Sequence, residues 1–324
     1  MLPTGARGPK VVAFGGGHGL YATLSALRHV TDNLTAVVTV ADDGGSSGRL
    51  RSELGILPPG DLRMALSALC DDGEWGQLWR DVLQHRFDSD GPLNKHAAGN
   101  LLIATLWNLL GDPVEGLEYV GRLLGTHGRV LPMSTVPMNI EADITSDGYT
   151  RVVRGQSRVA QAYGTVETIR LFPPDAPAEP QVLSAIEEAD WAVFGPGSWY
   201  TSVIPHLKVG EIKDALVSSQ VKVLLSMNLT SDGETRGMTH ADHARSFLDH
   251  GSGLNLAVVV ADPISIEDLD ELSRVTDQAG SRLVLRQVHT RGHTSRHDSL
   301  RFAAALRDAF EGSITDLGGG VERE

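Results

Sequence analysis

Residues Val11 to Arg51 constrain this chain more tightly than any other stretch. They read as a buried strand (Val11-Val12-Ala13-Phe14), a glycine loop (Gly15-Gly16-Gly17-His18-Gly19) and a helix with apolar residues at Leu20, Leu24, Leu27 and Val30. A second strand follows from Leu34 to Val40, then a polar loop, Asp42-Asp43-Gly44-Gly45-Ser46-Ser47-Gly48-Arg49. Strand, crossover helix and strand make a right-handed βαβ unit. Both loops then emerge at the carboxyl end of one parallel sheet, where open α/β proteins bind ligands. The stretch predicts the floor of a phosphate- or nucleotide-binding crevice.

From Asp61 the pattern turns helical, with Pro58-Pro59-Gly60 as the entry signal and further helices at Trp75 to Phe87, Ala98 to Leu110 and Pro113 to Leu124. Four helices with no strand between them predict a helical insertion over about 60–127. Strand patterns resume at 129–131, 138–144, 149–153 and 166–172, the middle two joined by the hairpin turn Ser146-Asp147-Gly148. A proline-rich connector runs from Pro173 to Pro180. Beyond it helix and strand alternate: helices 181–189, 209–218, 239–249, 264–278 and 298–311, strands 190–194, 221–227, 255–260 and 282–286. Alternation of this kind predicts a mostly parallel sheet with helices on both faces. Both halves are needed to complete that sheet, so residues 1–324 are expected to form one domain, a split near Pro173 being the alternative. The tail at about 318–324 is expected to be disordered.

Charge and composition narrow the ligand. The chain has 324 residues and a formal net charge of −13, which opposes sequence-independent attachment to nucleic acid or anionic membrane. A small anion held by backbone N–H groups and a few arginines is compatible with it. Cys70 is the only cysteine, so an intrachain disulfide is impossible; in a helical pattern beside Leu66 and Leu69 it reads as a core thiol. The first residues lack the apolar centre of a signal peptide, and the apolar run Leu101 to Leu110 is too short to span a bilayer. A cytoplasmic protein without membrane insertion is expected.

The glycine loop is neither G-x-G-x-x-G, since position 20 is Leu, nor a Walker loop, since no Lys-Ser/Thr pair follows. Its four glycines still exceed what a β–α turn needs, and they let backbone N–H groups approach an anion at a helix N-terminus. Asp42 closes the second strand where dinucleotide folds hold a ribose. Paired with Asp43, it could instead hold a hydrated Mg²⁺, while Ser46 and Ser47 could donate to phosphate. A second strand-to-glycine junction, Gly195-Pro196-Gly197-Ser198 after Trp191 to Phe194, follows the same logic. Asn228 ends a further strand, where an amide could recognise a base or sugar or simply shape a turn. The segment His289 to Asp298 is locally basic; Gly292 argues against a helix that would align His289, His293 and His297 on zinc, and Arg291 is the candidate diphosphate ligand. Asp298 reads as a helix N-cap. No nucleophile elbow, zinc helix or reactive cysteine motif is present.

Taken with Gly60-Asp61-Leu62-Arg63, Ala98-Gly99-Asn100-Leu101, Leu131-Pro132-Met133-Ser134, Gly233-Glu234-Thr235 and His297-Asp298, these loops resemble the bacterial gluconeogenesis factor family (YvcK type) along essentially the whole chain. The resemblance implies a Rossmann-like fold shared with 2-phospho-L-lactate transferase (CofD). It implies a cytoplasmic protein needed for cell shape and peptidoglycan synthesis during gluconeogenic growth, one that binds UDP-sugars, notably UDP-N-acetylglucosamine, with no established reaction and no required cofactor. Carried over by motif position, the ligand contacts would be Gly15 to Gly19 with His18, Asp42, Asp43, Gly44, Ser46, Ser47, Arg63, Asn100, Gly195, Pro196, Gly197, Ser198, Asn228 and Arg291. Wall-synthesis proteins are the implied partners, and a homo-oligomer is left open. One departure separates the two branches: where the transferases carry Pro-Asp-Leu-Asp, this chain has Arg63. Arg63 removes a possible metal ligand and adds a cation suited to phosphate. The competing expectations are a phosphoryl- or nucleotidyl-transferase using Asp42, Asp43 and Asp61 as Mg²⁺ ligands, and a dinucleotide binder, which the imperfect fingerprint weakens.

Overall fold

The computed structural model describes residues 8–231 and 233–312, so the tail expected to be disordered lies outside the described residues. The chain opens with β1 (Val11–Gly15), α1 (Gly17–Leu27), β2 (Leu34–Val38) and α2 (Gly45–Leu54). The helical insertion is α3 (Pro59–Ala68), α4 (Glu74–Gln84), α5 (Ala98–Leu110) and α6 (Pro113–Leu124), and β3 (Arg129–Pro132) returns to the sheet. There follow β4 (Asn139–Ser146), β5 (Tyr149–Arg154), α7 (Gln156–Ala160), β6 (Thr165–Phe172) and α8 (Pro180–Glu187). The second half runs β7 (Trp191–Phe194), a π-helical turn (Trp199–Val203), α9 (Pro205–Lys208), α10 (Gly210–Ser218), β8 (Lys222–Ser226), α11 (His240–His250), β9 (Leu256–Ala261), α12 (Leu269–Gln278) and β10 (Arg282–Leu285). A hairpin, β11 (His289–Thr290) and β12 (His293–His297), leads into α13 (Ser299–Glu311).

The main sheet has seven strands in the order β10-β9-β8-β7-β1-β2-β3, every pair parallel. Its strands are near-continuous apolar runs because both faces are covered; all five residues of β1 are buried. Central β1 pairs with β2 on one side (Phe14↔Val37) and with β7 on the other (Phe14↔Phe194). The Phe14 and Phe194 rings stack at 4.8 Å, locking the two halves together. The chain runs outward from β1 in one direction and from β7 in the other. Their junction is the topological switch point, where such sheets bind ligands. The Rossmann-like α/β fold is therefore present, with the helical insertion beside the first βαβ unit.

Two elements depart from expectation. The polar loop after β2 is half helix: α2 starts at Gly45, so Ser46 and Ser47 lie in its first turn, buried. Two glycines and a polar composition hide it from the hydrophobic period, since only Ser46, Ser47 and Leu50 are buried. The strands after β3 do not join the main sheet. They form a separate antiparallel sheet, β5-β4-β6. Its tight turn has Asp147 at φ 51° and Gly148 at φ 80°, the signature of a type I′ hairpin.

Candidate functional site

The two glycine loops meet at the switch point with almost no space between them. A Cβ on Gly19 would lie 1.8 Å from the Pro196 carbonyl oxygen, and one on Gly16 would lie 2.5 Å from Thr39 Oγ1 and 2.6 Å from Asp61 Oδ2. Only hydrogen fits at these two positions. The helix α1 begins with Gly16 as an extended N-cap and no side-chain cap. Asp61 accepts the Gly17 N–H. His18 and Gly19, in the first turn, have no intrahelical acceptor, which leaves donors and a helix dipole facing the crevice. Beneath, Gly15 O accepts from Thr39 N at 3.0 Å and from His206 Nε2 at 3.2 Å.

The crevice over β1, β7 and β8 is a cavity of about 600 Å³. His18, Gly19 and Tyr21 line one wall, Pro196, Gly197, Asn228 and Thr230 another, and Ser295, Arg296 and His297 of β12 a third. A larger groove of about 730 Å³ lies between α2 and α5, with no charged residue in its lining. It is away from the glycine loops and offers no cation to a diphosphate; the smaller cavity is the candidate site.

Asn228 lines the crevice, yet its amide is already engaged. Oδ1 accepts from Gly197 N at 2.7 Å and Nδ2 donates to Gly197 O at 2.9 Å, so it clamps the second glycine loop. His240 bridges the Asn228 carbonyl and Glu267, at 2.9 and 2.7 Å, and holds that clamp from behind. The hairpin is fastened at its base by Asp262, whose Oδ2 accepts from Val288 N, His289 N and His289 Nδ1 at 2.7–3.0 Å. Arg291 is at the exposed hairpin tip and is not part of the crevice wall. Arg296, on the returning strand, takes the position expected of it. His297 packs at a tilt against Phe302, ring centroids 5.1 Å apart, with its Nε2 buried and without a partner among the described residues; burial pushes its pKa down to about 4.

A second, polar region opens over β1 and β2. Asp42 Oδ1 accepts from Gly44 N at 2.9 Å, and burial raises its pKa. Asp61, partly buried beside it, is raised to about 7, first by desolvation and then by the charge on Asp42. Asp43 turns away: Oδ1 accepts from Ser157 N at 2.9 Å, at the start of α7. The residues fit a cation only in part, because Asp43, although its charge also acts on Asp42, has Oδ1 already engaged by Ser157 N. Among the described residues no group of three His, Cys, Asp or Glu side chains is arranged to hold a metal ion.

Ser46, Ser47, Asn100 and Arg63 form the wall behind this region. Ser46 Oγ accepts from Asn100 Nδ2 at 3.0 Å and from Ala97 N at 3.3 Å. Its own proton is left for His96 Nδ1, 3.0 Å away. Ser47 Oγ accepts from Gly60 N at 3.0 Å. Arg63 does not face the crevice as a free cation. Its guanidinium is buried against the end of α4 and the start of α5, donating to Asn100 Oδ1 at 2.9 Å, to Leu83 O and to Gln84 Oε1. Burial and then the neighbouring Arg86 push its pKa down to about 10. Gly99 makes room for it, since a Cβ there would lie 2.8 Å from Arg63 Cδ. The substitution that distinguishes this chain from the transferase pattern thus braces the helical insertion.

Sequence reasoning missed Tyr21, Thr230, His206 and Arg296. Arg296 had a signal, for Asp298 caps α13 through Leu300 N and Arg301 N and so sets the two preceding residues against the sheet rim. The others depend on contacts between distant segments.

Comparison with known proteins agrees with this architecture. The family model for 2-phospho-L-lactate transferase CofD matches residues 11–294. A putative gluconeogenesis factor of Mycobacterium leprae is 45% identical over 307 residues, covering 92% of this chain and 85% of its own length. The gluconeogenesis factor of Bacillus subtilis is 38% identical over 322 residues, covering 94% and 98%. A crystal structure of a upf0052 family protein from Bacillus halodurans superposes with a TM-score of 0.83 at 35% identity, covering 93% of this chain and all of that one.

Proposed function

We propose that this chain, which belongs to the gluconeogenesis factor family and shares the CofD-type architecture, works by binding a nucleotide sugar, UDP-N-acetylglucosamine in the first instance. In that reading the bound state regulates wall-synthesis proteins and so cell shape during gluconeogenic growth. The observation that carries it is the cavity at the meeting of the two glycine loops. Backbone donors at the head of α1 suit a diphosphate, and Arg296 supplies positive charge from the opposite wall. The ligand contacts in this reading are Gly16 to Gly19, Pro196, Gly197, Thr230 and Arg296, with Asn228 shaping the loop. Ser46, Ser47, Asn100 and Arg63 hold the wall.

Calorimetry with UDP-N-acetylglucosamine, GTP, NAD and Mg²⁺ tests the reading. Saturable heat with the UDP-sugar, without any need for Mg²⁺, supports it. Mg²⁺-dependent binding of GTP with no heat from any UDP-sugar overturns it.

One observation favours a second reading, a Mg²⁺-dependent phosphoryl- or nucleotidyl-transferase. Asp42 and Asp61 are partly buried carboxylates, both raised in pKa by desolvation first and Asp61 then by the charge on Asp42, and a divalent cation would stabilise their ionised forms. A bound Mg²⁺ would neutralise charge on a transferring phosphoryl group. The two aspartates would hold it, with Thr39 Oγ1 positioned 3.4 Å from Asp61. Nucleotide release with a phospholactyl donor and a deazaflavin acceptor is the discriminating assay; tight ligand binding without turnover removes this reading.

A further inference from the structure

We propose that the free edge of β5 is a docking strand for an extended, acidic segment of a protein partner. β5 ends the three-stranded sheet, with β4 on one side and no strand on the other. Five of its six residues are exposed, Tyr149 and Val152 by 82% and 55%. The opposite edge strand, β6, lies against α9 and the turn at Gly233–Thr235, whereas β5, apart from its pairing with β4, meets only α7, the helix that follows it in the chain, and its residues stay exposed. An uncovered edge presents a row of backbone N–H and C=O groups that another chain can pair with. Proline, a bulge or a covering helix would guard such an edge; β5 has no proline, and its pairing with β4 runs without a register shift.

Charge selects the partner. Between Gly148 and Val166 there are three arginines and no acid, in a chain of net charge −13. Arg154 is paired with Glu141 at 2.6 Å, whereas Arg151 and Arg158 make no ion pair among the described residues. Self-pairing of β5 about a two-fold axis through Arg151 would set the unpaired Arg151 of both copies opposite each other, which like-charge repulsion opposes. An acidic strand meets the same seam with opposite charge. Main-chain pairing would give affinity and the arginines specificity, as in β-strand addition. The small sheet and α7 are also tied to the segment that follows β2. Ser157 N donates to Asp43, and Arg51 on α2 donates to Asn139 Oδ1 at 3.0 Å on β4. The proposal does not depend on what fills the crevice.

The test uses the full chain and a fluorescein-labelled ten-residue peptide of alternating Glu and Val, compared with a Lys-Val peptide and a single-stranded oligonucleotide. The expected result is saturable anisotropy for the Glu-Val peptide and at least tenfold weaker binding for the other two. Arg151→Glu should lose at least tenfold while Arg151→Lys keeps most of the affinity, and amide exchange should slow at residues 149–154. No binding by the acidic peptide overturns the proposal. So does equal binding of the oligonucleotide, which marks a general anion patch, or slowed exchange elsewhere. If sedimentation shows a dimer whose amides at 149–154 are already protected, a second copy is the occupant and the proposal fails.

Discussion

Gly19 shows how far one residue can be read from sequence and where that reading stops. Four glycines in five residues signalled close backbone approach, and at Gly19 the neighbour is the other glycine loop. Gly19→Ala is expected to cost about 1–3 kcal/mol by forcing the loops apart, seen as a lower melting temperature together with loss of UDP-sugar binding. Gly45→Ala has no neighbour within 4 Å but keeps φ at 49°, so it should cost only about 1–2 kcal/mol and spare affinity. The cations were legible as a basic segment but not as a choice. Arg291 is in the hairpin turn and Arg296 on the strand after it, and only the fold puts the second on the wall. Arg296→Ala should therefore weaken UDP-N-acetylglucosamine at least tenfold in calorimetry with little change in melting temperature, whereas Arg291→Ala should change affinity less than threefold. Arg63 was unreadable in a different way, because the partners that bury it are up to 37 residues away. His206 adds a pH dependence. Burial lowers its pKa to about 4, below the ordinary value of the unfolded chain. The unfolded state then binds more protons between those values, so stability is full above pH 6.5 and falls as pH drops toward 4, by up to ~3 kcal/mol. Chemical denaturation at pH 7.5 and 4.5 should show a smaller difference for His206→Gln than for the native chain.

Elements with strong punctuation were legible nearly to the residue. The insertion helix α6 begins at Pro113 after the Asp112 cap and ends at Gly125 in the left-handed region, and α5 ends likewise at Gly111. Those signals are local. The helix α2 lacked them, with Gly44 as its N-cap and no side-chain cap bond. Asp43, read as a ligand, connects elements instead by accepting from the first turn of α7. Asp43→Ala should lower stability by about 1 kcal/mol and raise amide exchange in 155–160 while leaving UDP-sugar affinity within threefold. A tenfold loss of affinity with unchanged exchange would return Asp43 to the ligand set.

For the molecule as a whole, alternation of helix and strand was enough to call a covered parallel sheet. The strand order was not, because β7 pairs with β1 at a separation of 180 positions in the chain (Val11↔Trp191) and no local signal records that. Nor did the pattern distinguish strands of the main sheet from the antiparallel β4, β5 and β6. Among the described residues no helix is long and apolar enough to cross a membrane. What the assembled fold adds is convergence: two glycine junctions and one hairpin strand, far apart in the chain, face one cavity. The measurement that tests this most directly is a crystal structure of the full chain grown with UDP-N-acetylglucosamine. The account predicts the diphosphate against the backbone amides of His18 and Gly19, with Arg296 contacting the ligand from the hairpin side. Ligand density in the apolar groove between α2 and α5, or an empty crevice at saturating ligand, would contradict it.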